Sequence, residues 1–284
     1  MLQVFLQLFR LVPFPALYVL SDGLAFLLFR IIGYRRKVIF ENLQRAFPEK
    51  SQAEILKIVR ANYRNLTDVT LETLKSFTAA FAEIERRAIC LNPEIVNQYL
   101  DRGQSVILTG SHLGNWEYSG LTMPPQFHGA TVTAYKPLNN KGMDAYINQA
   151  RSRTGMEMVG MDEVFKAIRK RSAEPTVFIL LADQSPSSRK SAHWVRFFGQ
   201  ATASLPGADV LGRKFDLPVL YYRVVRTVRR GFYEIEFTEI CTDPSAAIEM
   251  DITSAFSRRL EADIRQQPEQ WLWSHKRWKM KRQE

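Results

Sequence analysis

The residues best suited to chemistry stand together in Gly110-Ser111-His112-Leu113-Gly114-Asn115-Trp116-Glu117, directly after the apolar run Ser105 to Thr109. His112 is one of only four histidines in the 284 residues. An imidazole changes charge near neutral pH, so it can take a proton from a hydroxyl and later return it. Glu117 follows five positions on. A regular helix would turn those two side chains about 140° apart, so they meet only if a turn intervenes, and Gly114 can supply one. A carboxylate bonded to one imidazole nitrogen holds the ring and raises the basicity of the other, which is how a general base is built. The same two residues would also suit a hydrogen-bonded structural histidine and an acid at a helix N-terminus.

Rival chemistries lack their residues. A nucleophile elbow around Ser111 needs glycines where Thr109 and Leu113 stand. His-Glu-x-x-His is absent, as is a Gly-x-x-x-x-Gly-Lys phosphate loop. Two cysteines, Cys90 and Cys241, cannot make a disulfide framework or a four-ligand zinc site, which suits a reducing compartment. Neither a metal nor a cofactor is expected.

The elements around the motif read as an α/β chain. Thr131–Tyr135 and Thr176–Leu181 are short apolar runs like Ser105–Thr109, with further strands expected near 218–227 and 232–239. Helical patterns lie between and after them, at 140–154, 162–172 and 245–266. Such alternation predicts a central mixed sheet flanked by helices, with His112 at the carboxyl end of a strand, where sites form in such folds. Everything before residue 103 reads as helical. Ser51 to Glu54 has capping-box spacing, and Ile55, Val59, Tyr63, Leu66 and Val69 then mark one face of a helix running to about Phe77.

Three regions follow from this: an apolar anchoring segment at 1–33, a helical region at 34–102 and an α/β catalytic region at 103–284. Leu11 to Phe29 is nearly long enough to cross a hydrocarbon core, with Asp22 as its only charge. Pro13, Pro15 and Ser21-Asp22-Gly23 interrupt it, so a spanning helix and an interfacial anchor both remain open. Arg30, Arg35, Arg36 and Lys37 follow it and would hold the remaining chain on the cytoplasmic side. Lys and Arg outnumber Asp and Glu by 39 to 29, a formal charge of +10, which suggests an acidic partner. At 46% hydrophobic, the chain has enough apolar residues for a full core.

Several ordered blocks resemble one family. SVILTGSHLGNWE at 105–117 is similar to the His-x4-acid block of glycerolipid-type acyltransferases. GYRRKVIFENLQRAFPEKS at 33–51, AYKPLNNKGMDAYINQARSRTGM at 134–156, ADQSP at 182–186 and PEQWLWSHKRWK at 268–279 resemble the late acyltransferases of lipid A biosynthesis, the lauroyl/myristoyl transferase family. The likeness runs over nearly the whole chain from residue 10. It implies a glycerolipid-acyltransferase-like fold at the bacterial inner membrane, catalytic region on the cytoplasmic side. It also implies transfer of a fatty acyl chain from acyl carrier protein to a hydroxyl of a lipid A precursor. His112 would be the base and Glu117 its orienting acid, with no acyl-enzyme, in keeping with the missing elbow. The same chemistry on another phosphoglycolipid, lysophospholipid or aminolipid is the alternative, and a non-catalytic basic binding protein a more distant one.

Other residues fit that expectation. Asp144, Asn148 and Arg151 fall on one helical face, and Arg151 and Arg153 suit a phosphorylated lipid acceptor, unless Asp144 simply neutralises Arg151. Lys136, Asn115, Asp183 and Gln184 are further substrate-binding candidates, Asp183 suiting a structural role equally well. Backbone N–H groups near Gly114 and Asn115 are candidates for the oxyanion. Trp271, Trp273, His275, Arg277 and Trp278 could meet lipid headgroups, pack on the core or bind nucleic acid. The expected partners are acyl carrier protein and anionic membrane lipid, with no nucleic acid.

Overall fold

The computed structural model describes residues 9–190 and 192–282, so residues 1–8 of the expected 1–33 anchoring segment lie outside the described residues. Helix α1 (Phe14–Phe26) continues through a π-helical turn, Leu27–Ile32, to Gly33 in the left-handed region at φ +66°. Among the described residues, Phe14–Ile32 is the one helix long and apolar enough to cross a membrane. Its two prolines do not break it, because Pro13 precedes the first turn and Pro15 lies within it, where no intrahelical N–H bond is lost. Helices α2 (Arg36–Ala46) and α3 (Gln52–Ser76) follow. Ser51 caps α3 as the spacing predicts: its hydroxyl accepts from Glu54 N, and the Glu54 carboxylate accepts from Ser51 N at 2.8 Å.

Helix α1 lies along α3, burying Leu17, Ser21 and Ala25. Polar groups pin the seam. Ser21 donates to the Asp68 carboxylate at 2.6 Å, and Asp68, fully buried, also takes Arg226 at 2.7 Å and Arg230 at 2.6 Å. Its neighbour Glu72, equally buried, accepts from Tyr18 of α1, from Tyr233 and from Asn115. Burial, with the charge of Asp68, pushes the Glu72 carboxyl above its ordinary pKa, against the pull of those three donors.

Beyond the short helix α4 (Phe81–Glu85) the chain builds one sheet from β1 (Ala88–Cys90), β2 (Val106–Gly110), β3 (Ala130–Tyr135), β4 (Met156–Gly160), β5 (Thr176–Leu181), β8 (Val219–Arg226) and β9 (Tyr233–Cys241). The order is β1-β9-β8-β2-β5-β3-β4, parallel throughout except that β9 runs antiparallel to β8, so the sheet is mixed as expected. Connecting helices are α5 (Glu94–Leu100), α6 (Trp116–Thr122), α7 (Lys141–Ser152), α8 (Val164–Lys170), α9 (Gly207–Phe215) and α10 (Asp251–Gln266). Residues alternate between the two faces: Val106 and Leu108 enter one apolar cluster with Ile179 and Leu220, while Ile107 enters the other with Phe178 and Val219.

Two expectations are corrected. The region before residue 103 is not wholly helical, because β1 leaves it to pair with β9. A hairpin of β6 (His193–Phe197) and β7 (Gln200–Ser204) also lies where no strand was expected. It packs with the C-terminal tryptophans: Trp271, Trp273 and Trp278 are buried among Phe47, Phe197 and Phe198. Those indoles therefore form core, and the headgroup role considered for them falls away.

Replacing Asp68 with Ala would leave Arg226 and Arg230 facing each other without their shared carboxylate. Breaking a buried pair costs about 3–5 kcal/mol. The lower end is expected here, since Arg230 is partly exposed and keeps Asp22. Thermal unfolding should show a midpoint several degrees lower, and limited proteolysis should show faster cutting around Gly33.

Candidate active site

Strands β2 and β5 are parallel neighbours, with Gly110 opposite Leu181. Two residues beyond those partners stand His112 and Asp183, so the register delivers both to the same sheet edge. His112 Nδ1 lies 2.7 Å from Asp183 Oδ1, and the His112 backbone N–H donates to Oδ2 at 3.0 Å. Trp271 Nε1 donates to Oδ2 at 2.8 Å. The carboxylate that orients His112 is therefore Asp183, not Glu117, a correction that sequence distance hides.

The carboxylate fixes the tautomer: with the proton on Nδ1, Nε2 keeps its lone pair. Gln184 Nε2 stands 3.3 Å from that lone pair and donates to it. Burial alone would depress the imidazole, but the charge and hydrogen bond of Asp183, assisted by Glu117, outweigh it and raise its pKa above 6.5. Burial works against the Asp183 anion, yet His112 and Trp271 hold its pKa at about 2. A second histidine–carboxylate contact, His128 with Asp101 at 2.8 Å, has no such character, since its side chains are 60% and 57% exposed against 15% and 2% for His112 and Asp183.

The turn carrying His112 needs its glycines. Gly114 has φ +64°, and a Cβ there would stand 2.7 Å from Val224 O. A Cβ on Gly110 would lie 2.1 Å from the Tyr222 ring. Asn115 then caps α6, its Oδ1 accepting from Tyr118 N at 3.0 Å while its Nδ2 donates to Glu72 at 2.8 Å. Both ends of this amide are engaged and the residue is fully buried. Asn115 is thus a capping residue and not a substrate contact. The backbone N–H of Gly114 is also taken, by Gln270 O at 3.2 Å, so it offers nothing to an oxyanion.

Glu117 faces the cleft with a partner of its own. Arg151 donates to it through Nε at 3.0 Å and Nη2 at 2.5 Å, a bidentate pair between α6 and α7. Asp144 does not neutralise Arg151; it accepts from Leu138 N, Tyr135 and Asn148. With Nε and Nη2 on Glu117, Arg151 is not free to grip a phosphate with its two-pronged fork. Arg153 donates to Ala79 O at 2.8 Å and does not line the cleft. Lys136 does line it, exposed and without a carboxylate partner among the described residues.

The cleft has a volume of about 580 Å³. His112, Glu117, Arg151 and Gln184 form its polar end, and Met123, Met156, Met158, Ile179 and Leu211 are among its apolar walls. Trp116 packs edge-on against the imidazole with ring centroids 4.9 Å apart. Such a cavity suits a flexible apolar chain whose reactive end meets a base. Sequence reasoning missed the methionine and aliphatic lining, which comes from separate strands and helices. His275, expected only as part of the C-terminal aromatic and basic run, accepts through Nε2 from Ser185 N at 3.0 Å and braces the loop after Gln184.

An oriented imidazole, a charged arginine–glutamate pair and an apolar cleft, all at the carboxyl edge of an α/β sheet, are the parts a group-transfer site would need. Comparison with known proteins makes the class specific. The bacterial lipid A biosynthesis acyltransferase family matches residues 1–280, and the chain belongs to that family. It is 24% identical over 269 residues to the lipid A biosynthesis lauroyltransferase of Escherichia coli (strain K12), covering 94% of this chain and 86% of that protein. Identity is 23% over 275 residues, with the same coverage, to the palmitoleoyltransferase of lipid A biosynthesis from the same bacterium. It is 21% over 271 residues to a lipid A biosynthesis acyltransferase of Haemophilus influenzae, covering 94% of this chain and 85% of that protein.

The two ionisations give a pH test. A base must be neutral, so turnover should fall as pH drops through a His112 pKa lying above 6.5. In Asp183→Asn the raising charge is gone and burial dominates, so the acid limb should move to lower pH. kcat should also fall by about 10²–10⁴-fold as the ring loses its orientation. The stability contributions have opposite signs: that of His112 is full below its unfolded pKa and lost as pH rises through its raised one. That of Asp183 is present above 3.8 and lost as pH falls towards about 2. Kinetic profiles of both proteins between pH 5 and 9 would check the limb shift.

Proposed function

We propose that this acyltransferase moves a fatty acyl chain from the thioester of acyl carrier protein to a hydroxyl of a lipid A precursor. The observation that carries the mechanism is His112, with Nδ1 held by buried Asp183 and Nε2 presented to the cleft. The acceptor hydroxyl displaces the Gln184 amide and donates to Nε2. As Nε2 takes the proton, the hydroxyl oxygen bonds to the thioester carbonyl carbon. The tetrahedral oxyanion meets the Arg151 guanidinium, aimed by Glu117. Collapse breaks the carbon–sulfur bond, and the imidazolium returns the proton to the thiolate. Glu117 is then a positioning residue acting through Arg151, and no acyl-enzyme forms.

Lys136, which lines the cleft, is the cation assigned here to an acceptor phosphate, since Arg151 and Arg153 have other engagements. The apolar face of Phe14–Ile32, with Leu20, Phe26, Ile31 and Ile32 exposed, supports association with a bacterial inner membrane. The basic cluster after it supports a cytoplasmic catalytic region. The positive surface supports an acidic carrier protein as donor partner.

His112→Ala should lower transfer by about 10²–10⁴-fold with the fold intact. Purified variant protein with near-wild-type turnover would refute the mechanism. Lys136→Ala should raise KM for a phosphorylated acceptor by up to roughly tenfold and leave that for the donor unchanged, read from kinetics with each substrate varied in turn. Transfer of one acyl chain from acyl carrier protein should exceed transfer from coenzyme A at matched concentration; the reverse order would overturn the donor assignment.

A further inference from the structure

A second cavity, about 720 Å³, opens between α1, α3 and the turn joining β8 to β9. Arg60, Arg64, Arg226 and Arg230 line it, against the acids Asp22 and Glu269. Arg226 and Arg230 are held by Asp68, and Arg64 reaches Asp22 at 2.9 Å. Arg60 has no carboxylate partner among the described residues. Its guanidinium stands 5.9 Å from the centre of the Phe29 ring, where Arg36 and Arg30 also gather at 5.0 and 5.6 Å. Neither of those has an ion-pair partner among the described residues either. Three like charges thus converge on one ring at the cavity wall, where cation–π contact eases but does not cancel their repulsion. An anion at Arg60, the one of the three that lines the cavity, would lower that repulsion.

The rim decides what kind of anion. Phe26 is 61% exposed, and Val228, at the tip of the turn, is fully exposed; both line the cavity. A free phosphate would gain nothing from them, whereas a phosphate carrying hydrocarbon would meet arginines with its head and apolar side chains with its tail. The cavity is also close to the catalytic cleft. A small void shares Gln270 with the basic cavity and Trp116 with the cleft, so it lies between the two sites.

We propose that this cavity is a phospholipid site distinct from the catalytic cleft, holding the phosphodiester of one anionic glycerophospholipid at Arg60, with Arg36 on the same Phe29 ring adding its charge. It rests on the membrane association proposed above and not on the transfer chemistry. Full-length protein in an uncharged detergent would be titrated with dihexanoyl phosphatidylglycerol and, separately, dihexanoyl phosphatidylcholine, with bound lipid counted by native mass spectrometry. One phosphatidylglycerol per chain is expected, with phosphatidylcholine much weaker. The double variant Arg36→Ala, Arg60→Ala should bind phosphatidylglycerol at least roughly tenfold more weakly. Both side chains are exposed and unpaired, so its lipid-free thermal midpoint should match the wild type. Lys170→Ala, which removes an exposed cation from α8, should bind as the wild type does. Equal binding of the two lipids, or equal binding by the double variant, would overturn the site. So would displacement of the lipid by millimolar inorganic phosphate or by a phosphorylated acceptor, either of which would name a different occupant. The titration needs no bilayer, so failure of the protein to float on vesicles would refute the anchor and leave this result standing.

Discussion

Asp183 is an ion with almost no access to water, and the architecture around the site follows from making that tolerable. Stripping a carboxylate of water costs several kcal/mol even after the protein relaxes. Three donors meet this one: the backbone and ring nitrogens of His112 and the indole of Trp271. They come from two separate parts of the chain, the end of β2 and the segment after α10, and meet the acid at the end of β5. Losing any of them would leave a buried charge short of a partner, so the loop after β2 has little freedom to move. The same bonds that keep Asp183 ionised fix the tautomer and direction of His112. Stability and catalytic readiness therefore have one cause here.

A second pair of buried acids, Asp68 and Glu72, does on α3 what Asp183 does at the sheet edge. Asp68 draws Ser21 from α1 and two arginines from the β8–β9 hairpin. Glu72 draws Tyr18 from α1, Tyr233 from β9 and Asn115 from the catalytic loop. Asn115 is the cap of α6, and α6 carries Glu117, which aims Arg151. Hydrogen bonds on either side of the short helix α6 thus connect the apolar N-terminal helix, through α6 itself, to the arginine at the cleft. The apolar helix belongs to the same packed body as the active site.

The strands and the candidate base were legible in the sequence because both are local signals. Val106–Gly110 and Thr176–Leu181 are buried on both faces and read as uninterrupted apolar runs, and His112 follows one of them. The capping box at Ser51 is likewise written in four residues. The orienting carboxylate was not legible. Glu117 is five residues from His112 and Asp183 is seventy-one, and only the β2–β5 register brings the distant one close. Strands β1 and β4 are short and partly exposed, so they show neither a long apolar run nor a clean alternation. The β6–β7 hairpin is coloured by the polar residues around it, and its burial comes from C-terminal tryptophans that looked suited to headgroups. Mixed aromatic and basic composition does not say which side of a residue meets solvent; Arg277 is buried, donating to Ala203 O and Ser204.

The packing of α1 also bears on how a membrane would be met. If Phe14–Ile32 crossed the bilayer upright, α3 would be carried along with it, because Leu17, Ser21 and Ala25 are buried on that seam. Arg60 and Arg64 would then enter hydrocarbon, and so would Asp22 and Arg230, at about 2.5–3.5 kcal/mol for each charge near the centre. Lying in the interface removes that cost. The exposed Val19, Phe26, Ile31 and Ile32 would reach the acyl region while the arginines around Phe29 stay at headgroup depth. In that seating the Phe26 and Val228 rim points towards lipid. The cleft's methionine and aliphatic walls would in turn offer an acyl chain a substitute for the hydrocarbon it leaves.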